Sequence, residues 1–168
     1  MSDLVLPKIE KSILNKKDEI VRKLSKLTNS ENVLSEADEI RPYETDALSV
    51  YTQTPLAVVL PENTQQVSEI LKYCYEENIK VVPRGAGTGL SGGALPLQDA
   101  ILLGLGKFNK ILEIDFQNKC VVTQPGVTNL GITHAVEHKG FYYAPDPSSQ
   151  LACSIGGNVA ENSGGVHS

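Results

Sequence analysis

The sequence predicts an α+β fold: a small parallel strand–helix–strand unit followed by the start of a mixed or antiparallel part. Three observations predict it. Two short apolar, β-branched runs at 56–60 and 79–82 flank an amphipathic helical stretch, the signature of a parallel crossover. Three more short apolar runs follow, the last two close enough to form a hairpin. Between the two groups lies a stretch too rich in glycine to be helix or strand.

Taken in order, residues 4–28 place Leu6, Ile9, Ile13, Leu14, Ile20, Val21, Leu24 and Leu27 among many lysines. That spacing predicts one or two amphipathic helices, read as packing rather than chemistry. Residues 1–37 are set apart as an N-terminal helical segment, and 38–168 as the main domain. Leu56–Leu60 reads as a buried strand stopped by Pro61. Asn63 or Thr64 then caps a helix whose apolar stripe is Val67, Ile70, Leu71 and Cys74. Ile79–Val82 is the next strand, and Ala100–Leu103, Ile111–Ile114 and Cys120–Thr123 are three more, the last two joined by a turn near Asn118. Thr128 caps a helix from Asn129 to His138, and Gly140 suits its left-handed end. Ala144–Ser149 is proline-rich and extended. Residues 152–165 hold four glycines and two asparagines and read as a binding loop cut short, with no closing element after Ser168.

Composition narrows the function. The 168 residues are 40% hydrophobic and 21% charged, which is globular composition. The net charge is −5, and the strongest basic pair is Lys16-Lys17. A nucleic-acid partner needs a concentrated positive face, so none is expected. Cys74, Cys120 and Cys153 form no CxxC pair and read as reduced, buried thiols. No secretory h-region and no apolar run of the roughly 20 residues that span a bilayer are present. The chain is therefore read as cytoplasmic, with no transmembrane segment.

The segment Pro83-Arg84-Gly85-Ala86-Gly87-Thr88-Gly89-Leu90-Ser91-Gly92-Gly93 carries the chemistry. Five glycines in eleven residues let several main-chain N–H groups converge on one hollow. Such a nest holds phosphate oxygens without side chains. Arg84 could add charge from the rim. A P-loop would end in Gly-Lys-Ser/Thr, but Gly93 and Ala94 follow Gly92 here. Gly87, Gly89 and Gly92 formally match the Rossmann fingerprint, and Asp115 lies downstream at a suggestive distance. That motif must open a helix, however, and Pro96 opposes one. A free-standing glycine loop between strands remains the best fit. The bland alternative is a tight structural turn.

The segment 81–96, VVPRGAGTGLSGGALP, resembles the pyrophosphate loop of the vanillyl-alcohol oxidase-type, or PCMH-type, FAD-binding fold. The segment 142–167, YYAPDPSSQLACSIGGNVAENSGGVH, is similar to the second flavin-contacting stretch of that family. Both look most like the glycolate oxidase D subunits and their D-lactate and D-2-hydroxyglutarate dehydrogenase relatives, over about residues 38–168. The resemblance implies an incomplete PCMH-type FAD-binding domain. Arg84, Gly85, Ala86, Gly87, Thr88, Gly89, Leu90, Gly92 and Gly93 would wrap the pyrophosphate. Pro145, Asp146, Ser148 and Ser149 would line the flavin from the other side. Cys153, Ser154, Ile155, Gly156, Gly157 and Asn158 would run beside it, with Ala160, Asn162, Gly164 and Gly165 close by.

Some relatives bind FAD covalently through a histidine in this loop. Thr88 stands at that position here, so non-covalent FAD is expected. His134 and His138 share a helix face without a third ligand, so no metal is expected. The resemblance further implies an oxidoreductase that transfers a hydride from a small 2-hydroxy acid to flavin. Its partners would be other oxidase subunits, including an iron-sulfur subunit, which could place it peripherally at the inner membrane. The catalytic residues of such enzymes lie largely in a C-terminal cap domain. The chain matches about the first third of a relative and lacks the cap, so alone it is expected to be inactive. A non-catalytic nucleotide-binding or scaffold subunit is the alternative.

Overall fold

A computed structural model describes residues 7–167. Two short helices open it, α1 (Lys11–Asn15) and α2 (Lys17–Leu27), separated by a break at Lys16. They bury Ile13, Ile20 and Leu24, the inward members of the expected stripe, while Leu6 lies outside the described residues. A 3-10 turn leads to β1 (Val33–Leu34), and α3 (Ala37–Ile40) follows. The segment before residue 38 thus contributes a strand as well as helices, and its apolar side chains join the main core.

β2 (Ala57–Val59), α4 (Thr64–Glu76) and β3 (Lys80–Arg84) form the expected strand–helix–strand unit. Asn63 is the cap, its side chain accepting from the Gln66 N–H. The next strand, β4 (Ala100–Gly104), inserts between β2 and β3, giving the order β1-β2-β4-β3. β4 runs parallel to both neighbours, and β1 is antiparallel to β2. Every residue of β4 is buried. A parallel strand covered on both faces needs a continuous apolar run, which is why Ala100–Leu103 shows no alternation. Ala57, Val59, Ile101 and Leu103 face α2 and α4, whereas Val58 and Leu102 face Ile40 on the other side.

Asp99, just before β4, is almost fully buried and accepts from Lys80 Nζ at 2.6 Å and the Glu10 N–H at 2.7 Å. Burial alone would raise this carboxyl. The bonds from Lys80 and Glu10 outweigh it and hold Asp99 below its ordinary value. The pair ties the N-terminal segment to the sheet.

The remaining elements are the antiparallel hairpin β5 (Ile111–Asp115) and β6 (Cys120–Thr123), then α5 (Asn129–Val136) and α6 (Ile155–Ala160). Asp115 closes the hairpin turn by accepting from the Asn118 N–H and side-chain amide at 2.9 and 2.7 Å. It is a turn residue, and its Rossmann-like spacing is coincidental. Thr128 caps α5 through the Gly131 N–H, and Gly140 adopts the left-handed conformation at φ 76°. α5 gives way to a 3-10 turn at Glu137–Lys139, slightly before the expected end.

Three expectations need correction. Leu71 is 45% exposed, because it sits one step around α4 from Ile70, at the edge of the buried stripe. Cys120 is exposed rather than buried, since β6 alternates and its first residue faces outward. Burial does push the Cys74 thiol up to about 11. Finally, 152–165 is not wholly a loop: it contains α6, which low-propensity Gly156 and Gly157 concealed.

Candidate functional site

The glycine loop leaves the carboxyl end of β3 and returns to the start of β4 without forming a helix. The rejection of the Rossmann and P-loop readings therefore holds. In open parallel sheets, ligands bind outside the carboxyl ends of strands. Gly87 and Gly92 have φ of 72° and 77°, a region side chains disfavour. Among the described residues, none of the main-chain N–H groups of 85–94 donates a hydrogen bond within the chain. Free amide donors gathered in one loop are what an anion site requires.

Arg84 behaves differently from the expectation of a rim cation. Its side chain turns back beneath Gly87, and Nη1 donates to the Tyr43 carbonyl at 3.1 Å. Its guanidinium also lies 5.8 Å from the Tyr43 ring centre. Burial lowers its pKa, and nearby Asp46 and Tyr43 oppose that shift. A second tie, from the Ala47 N–H to the Gly87 carbonyl at 2.9 Å, fixes the same turn. Arg84 thus braces the turn at Gly87 while also lining the cleft.

The opposite wall is the N-terminal end of α6. Its first two N–H groups, of Ile155 and Gly156, are taken by the carbonyls of Val127 and Pro125. Between the walls lies a cleft of about 240 Å³. Two buried side-chain atoms on its α6 wall, Ser154 Oγ and Asn158 Nδ2, have no hydrogen-bond partner. A buried polar atom without a partner is costly, so each calls for a ligand or water. A methyl group added to Gly85 would collide with Ser154 Oγ, so the walls approach as closely as they do only because residue 85 is glycine. The donors suit an acceptor-rich group such as a diphosphate, held by amides, a hydroxyl and a carboxamide.

Of the residues expected at the cofactor, the cleft is lined by Arg84, Gly85, Ala86, Gly87, Thr88, Gly89 and Gly93 on one side and by Ser149, Cys153, Ser154, Gly156, Gly157, Asn158 and Ala160 on the other. Leu90, Gly92, Pro145, Asp146, Ser148, Ile155, Asn162, Gly164 and Gly165 do not line it. Leu90 is 72% exposed, and Asn162 adopts φ 53° to turn the chain after α6. Asp146 is engaged elsewhere: it accepts from the His167 N–H at 3.0 Å, and its other oxygen lies 2.7 Å from His167 Nδ1. Those bonds, the main-chain one foremost, hold its carboxyl below the ordinary value. Pro83, Ala94, Leu105, Pro125, Glu161 and Ser163 also line the cleft. Leu105 and Pro125 come from distant parts of the sequence and carry no local signal. His134 and His138 lie outside the cleft, His138 packing edge-on to Phe116. No cluster of three or more metal-binding side chains occurs among the described residues.

Fold and cleft together define a domain with a hollow rich in free donors at the carboxyl ends of a parallel sheet. The chain belongs to the FAD binding domain family, whose pattern matches residues 55–168. Its fold is shared with p-cresol methylhydroxylase, 27% identical, with a TM-score of 0.69 over 89% of this chain and 30% of that one. Alkyldihydroxyacetonephosphate synthase, at 18% identity and a TM-score of 0.76 over 94% of this chain and 30% of that one, shares the fold alone. These neighbours bear out the PCMH-type fold. Among curated proteins, the chain is 56% identical over 135 residues to the glycolate oxidase subunit GlcD of Escherichia coli K12, covering 80% of this chain and 27% of that protein. It is 34% identical over 155 residues to the mitochondrial D-2-hydroxyglutarate dehydrogenase of Arabidopsis thaliana, covering 92% of this chain and 27% of that one. The chain thus spans about a quarter of the length of these relatives, at 27% in both cases. No helix among the described residues is long and apolar enough to cross a membrane.

Proposed function

We propose that this chain is the FAD-binding portion of an oxidoreductase that oxidises a small 2-hydroxy acid. The observation that carries the reading is the facing of a glycine loop with undonated N–H groups against the unpartnered Ser154 Oγ and Asn158 Nδ2. Gly85, Ala86, Gly87, Thr88 and Gly89 would hold the diphosphate by main-chain donors, Ser154 and Asn158 would satisfy oxygens from the other wall, and Arg84 would keep the loop in shape. FAD, when bound, supplies a hydride acceptor. Thr88 offers no ring nitrogen for attachment, which supports non-covalent binding. The substrate would lose hydride from its α-carbon and a proton from its hydroxyl, leaving a 2-oxo acid.

The names of the relatives, a glycolate oxidase subunit and a D-2-hydroxyglutarate dehydrogenase, support that substrate class. The word subunit supports assembly with further oxidase polypeptides; that one of them is an iron-sulfur subunit is what the family resemblance implies. We place the assembly on the aqueous side of the inner membrane. We assign residues 38–168 to the flavin domain and the residues before them to a packing segment.

A second reading, nucleotide binding without chemistry, is favoured by the cleft itself, whose ionisable side chains among the described residues are Arg84, Cys153 and Glu161, none hydrogen-bonded to another. A chimera separates the two. The 135 matching residues of the E. coli glycolate oxidase subunit are replaced by those of this chain. The purified chimera should be yellow and bleach with glycolate or another D-2-hydroxy acid in the absence of oxygen. A folded, yellow chimera that no hydroxy acid bleaches supports the second reading. A folded chimera without flavin overturns both.

A further inference from the structure

The cleft contains an anion where an anion-binding site would not be expected to have one. Glu161, at the C-terminal end of α6, lines the cleft opposite the glycine loop. A methyl group on Gly89 would lie 3.5 and 3.6 Å from the two Glu161 carboxylate oxygens, and one on Gly93 would lie 3.6 Å from Oε1. The carboxylate therefore spans both arms of the loop. It has no hydrogen bond or ion pair among the described residues. Among the described residues, Arg84 is the one cation lining the cleft, and it is turned to the Tyr43 carbonyl and lies near Asp46. No described residue of the cleft neutralises Glu161.

We propose that Glu161 makes the cleft select a diphosphate esterified at both ends over a nucleotide that ends in a free phosphate; the proposal rests on the flavin-dinucleotide reading above. A doubly esterified diphosphate carries one negative charge on each phosphorus. A terminal phosphate monoester carries close to two at neutral pH, its second ionisation lying near pH 6. The extra charge would meet the Glu161 carboxylate with no countercharge at hand. Selectivity of this kind comes from a repulsive element set against the competitor. The amides bind either ligand, and Glu161 penalises the more highly charged one. FAD would thereby be favoured over ADP and FMN, which share its parts but end in monoesters.

The test is calorimetric titration of FAD, ADP and FMN into the chain and into Glu161→Gln, Glu161→Lys and Glu137→Gln. Glu137 is exposed in the turn after α5 and does not line the cleft, so it controls for a general change in field. Glu161→Gln should lower the ratio of the ADP to the FAD dissociation constant about tenfold, nearer the aqueous than the interior limit because Glu161 is exposed. Glu161→Lys should lower it further, Glu137→Gln should leave it unmoved, and added salt should shrink the difference. FMN should follow ADP. Equal tightening of FAD and ADP, or a ratio that none of the variants moves, overturns the role of Glu161 while leaving flavin binding intact. Failure of every form to bind FAD overturns the functional reading itself, and the selectivity with it.

Discussion

The two glycine-rich segments, 85–93 and 156–165, look alike in sequence and use glycine for opposite ends. In the first, glycine keeps the main chain free: φ is positive at Gly87 and Gly92, and the N–H groups stay undonated. In the second, glycine lets chain press on chain. A methyl group on Gly156 would lie 2.6 Å from Pro125 Cβ, and one on Gly165 would run into the Asp146 main chain. One segment is a receptor and the other is a joint. Neither glycine content nor φ distinguishes them, since Gly165 is also left-handed at 83°; side chains lie against the missing Cβ of Gly85, Gly87 and Gly89, and main chain against those of Gly156 and Gly165.

The largest expected effect falls on the receptor. A Cβ at residue 87 would stand 2.5 Å from Arg84 Nη2 and 2.7 Å from Nε. Gly87→Val would also force a β-branched residue into the left-handed region, at about 1–2 kcal/mol. The loop cannot keep its turn and keep Arg84 on Tyr43 at once. The variant should fold but lose flavin on desalting, read by absorbance of the purified protein. Stoichiometric FAD in a folded Gly87→Val protein would remove the loop from the phosphate site.

At the joint, Gly156→Ala should destabilise the fold. Its methyl group meets Pro125 Cβ at 2.6 Å and the Pro125 carbonyl oxygen at 3.0 Å. Overpacking against main chain costs about 2–3 kcal/mol, and Ala returns about 1 through helix propensity, leaving a net loss of about 1–2 kcal/mol. Gly157→Ala is the control, because its methyl group would touch only Ser154 Oγ at an ordinary 3.5 Å. That variant should keep the propensity gain and melt no lower than the parent. Thermal unfolding of both decides; equal behaviour would mean that the Pro125 contact is not closely packed.

The difference also explains what could be read in advance. The first segment announced itself because its glycines follow a strand, Pro96 forbids a helix, and no lysine ends the motif. Strands β2 and β4 were legible because parallel burial demands unbroken apolar runs. α6 was not, since a helix opening Ile-Gly-Gly-Asn is stabilised by its packing against Pro125 and Val127, which no local pattern reveals. Arg84 was seen as a residue but not as a brace, because its acceptor lies 41 residues away at Tyr43. Asp146 was assigned to the flavin, yet its oxygens are engaged by His167, whose reach depends on the turn at Asn162. Glu161 gave no signal, being a charged residue where one would look only for donors.

The joint has a polar clasp as well, and its effect should be smaller and local. Asp146 also donates its own N–H to the Gly164 carbonyl at 2.8 Å. Its carboxyl is held below the ordinary value near 3.9, first by the His167 N–H and then by the His167 side chain. A depressed carboxyl contributes stability that is present above its unfolded value and lost as pH falls through the lower folded one. The His167 amide should therefore stay protected at neutral pH and lose protection only as pH falls below the ordinary carboxyl range, once intrinsic exchange rates are corrected. Asp146→Ala, which leaves no side-chain acceptor, should show the unprotected behaviour at every pH, with the sheet unaffected. If His167 exchanges equally in parent and variant at pH 7, the clasp does not hold the segment.

The smallest change probes whether the receptor binds through main chain or side chain. Thr88 lines the cleft, and its hydroxyl makes no hydrogen bond within the described chain. Thr88→Ala removes at most one bond to the ligand, worth about 1 kcal/mol, or about fivefold in FAD affinity. Ser154→Ala removes a hydroxyl of the same kind from the opposite wall, but a buried one, and should cost at least as much. If the cradle is main chain, both losses stay small beside that of Gly87→Val. A loss at Thr88 as large as that at Gly87 would mean that the hydroxyl, not the loop's amides, carries the phosphate, and the contrast between receptor and joint would have to be redrawn around side chains.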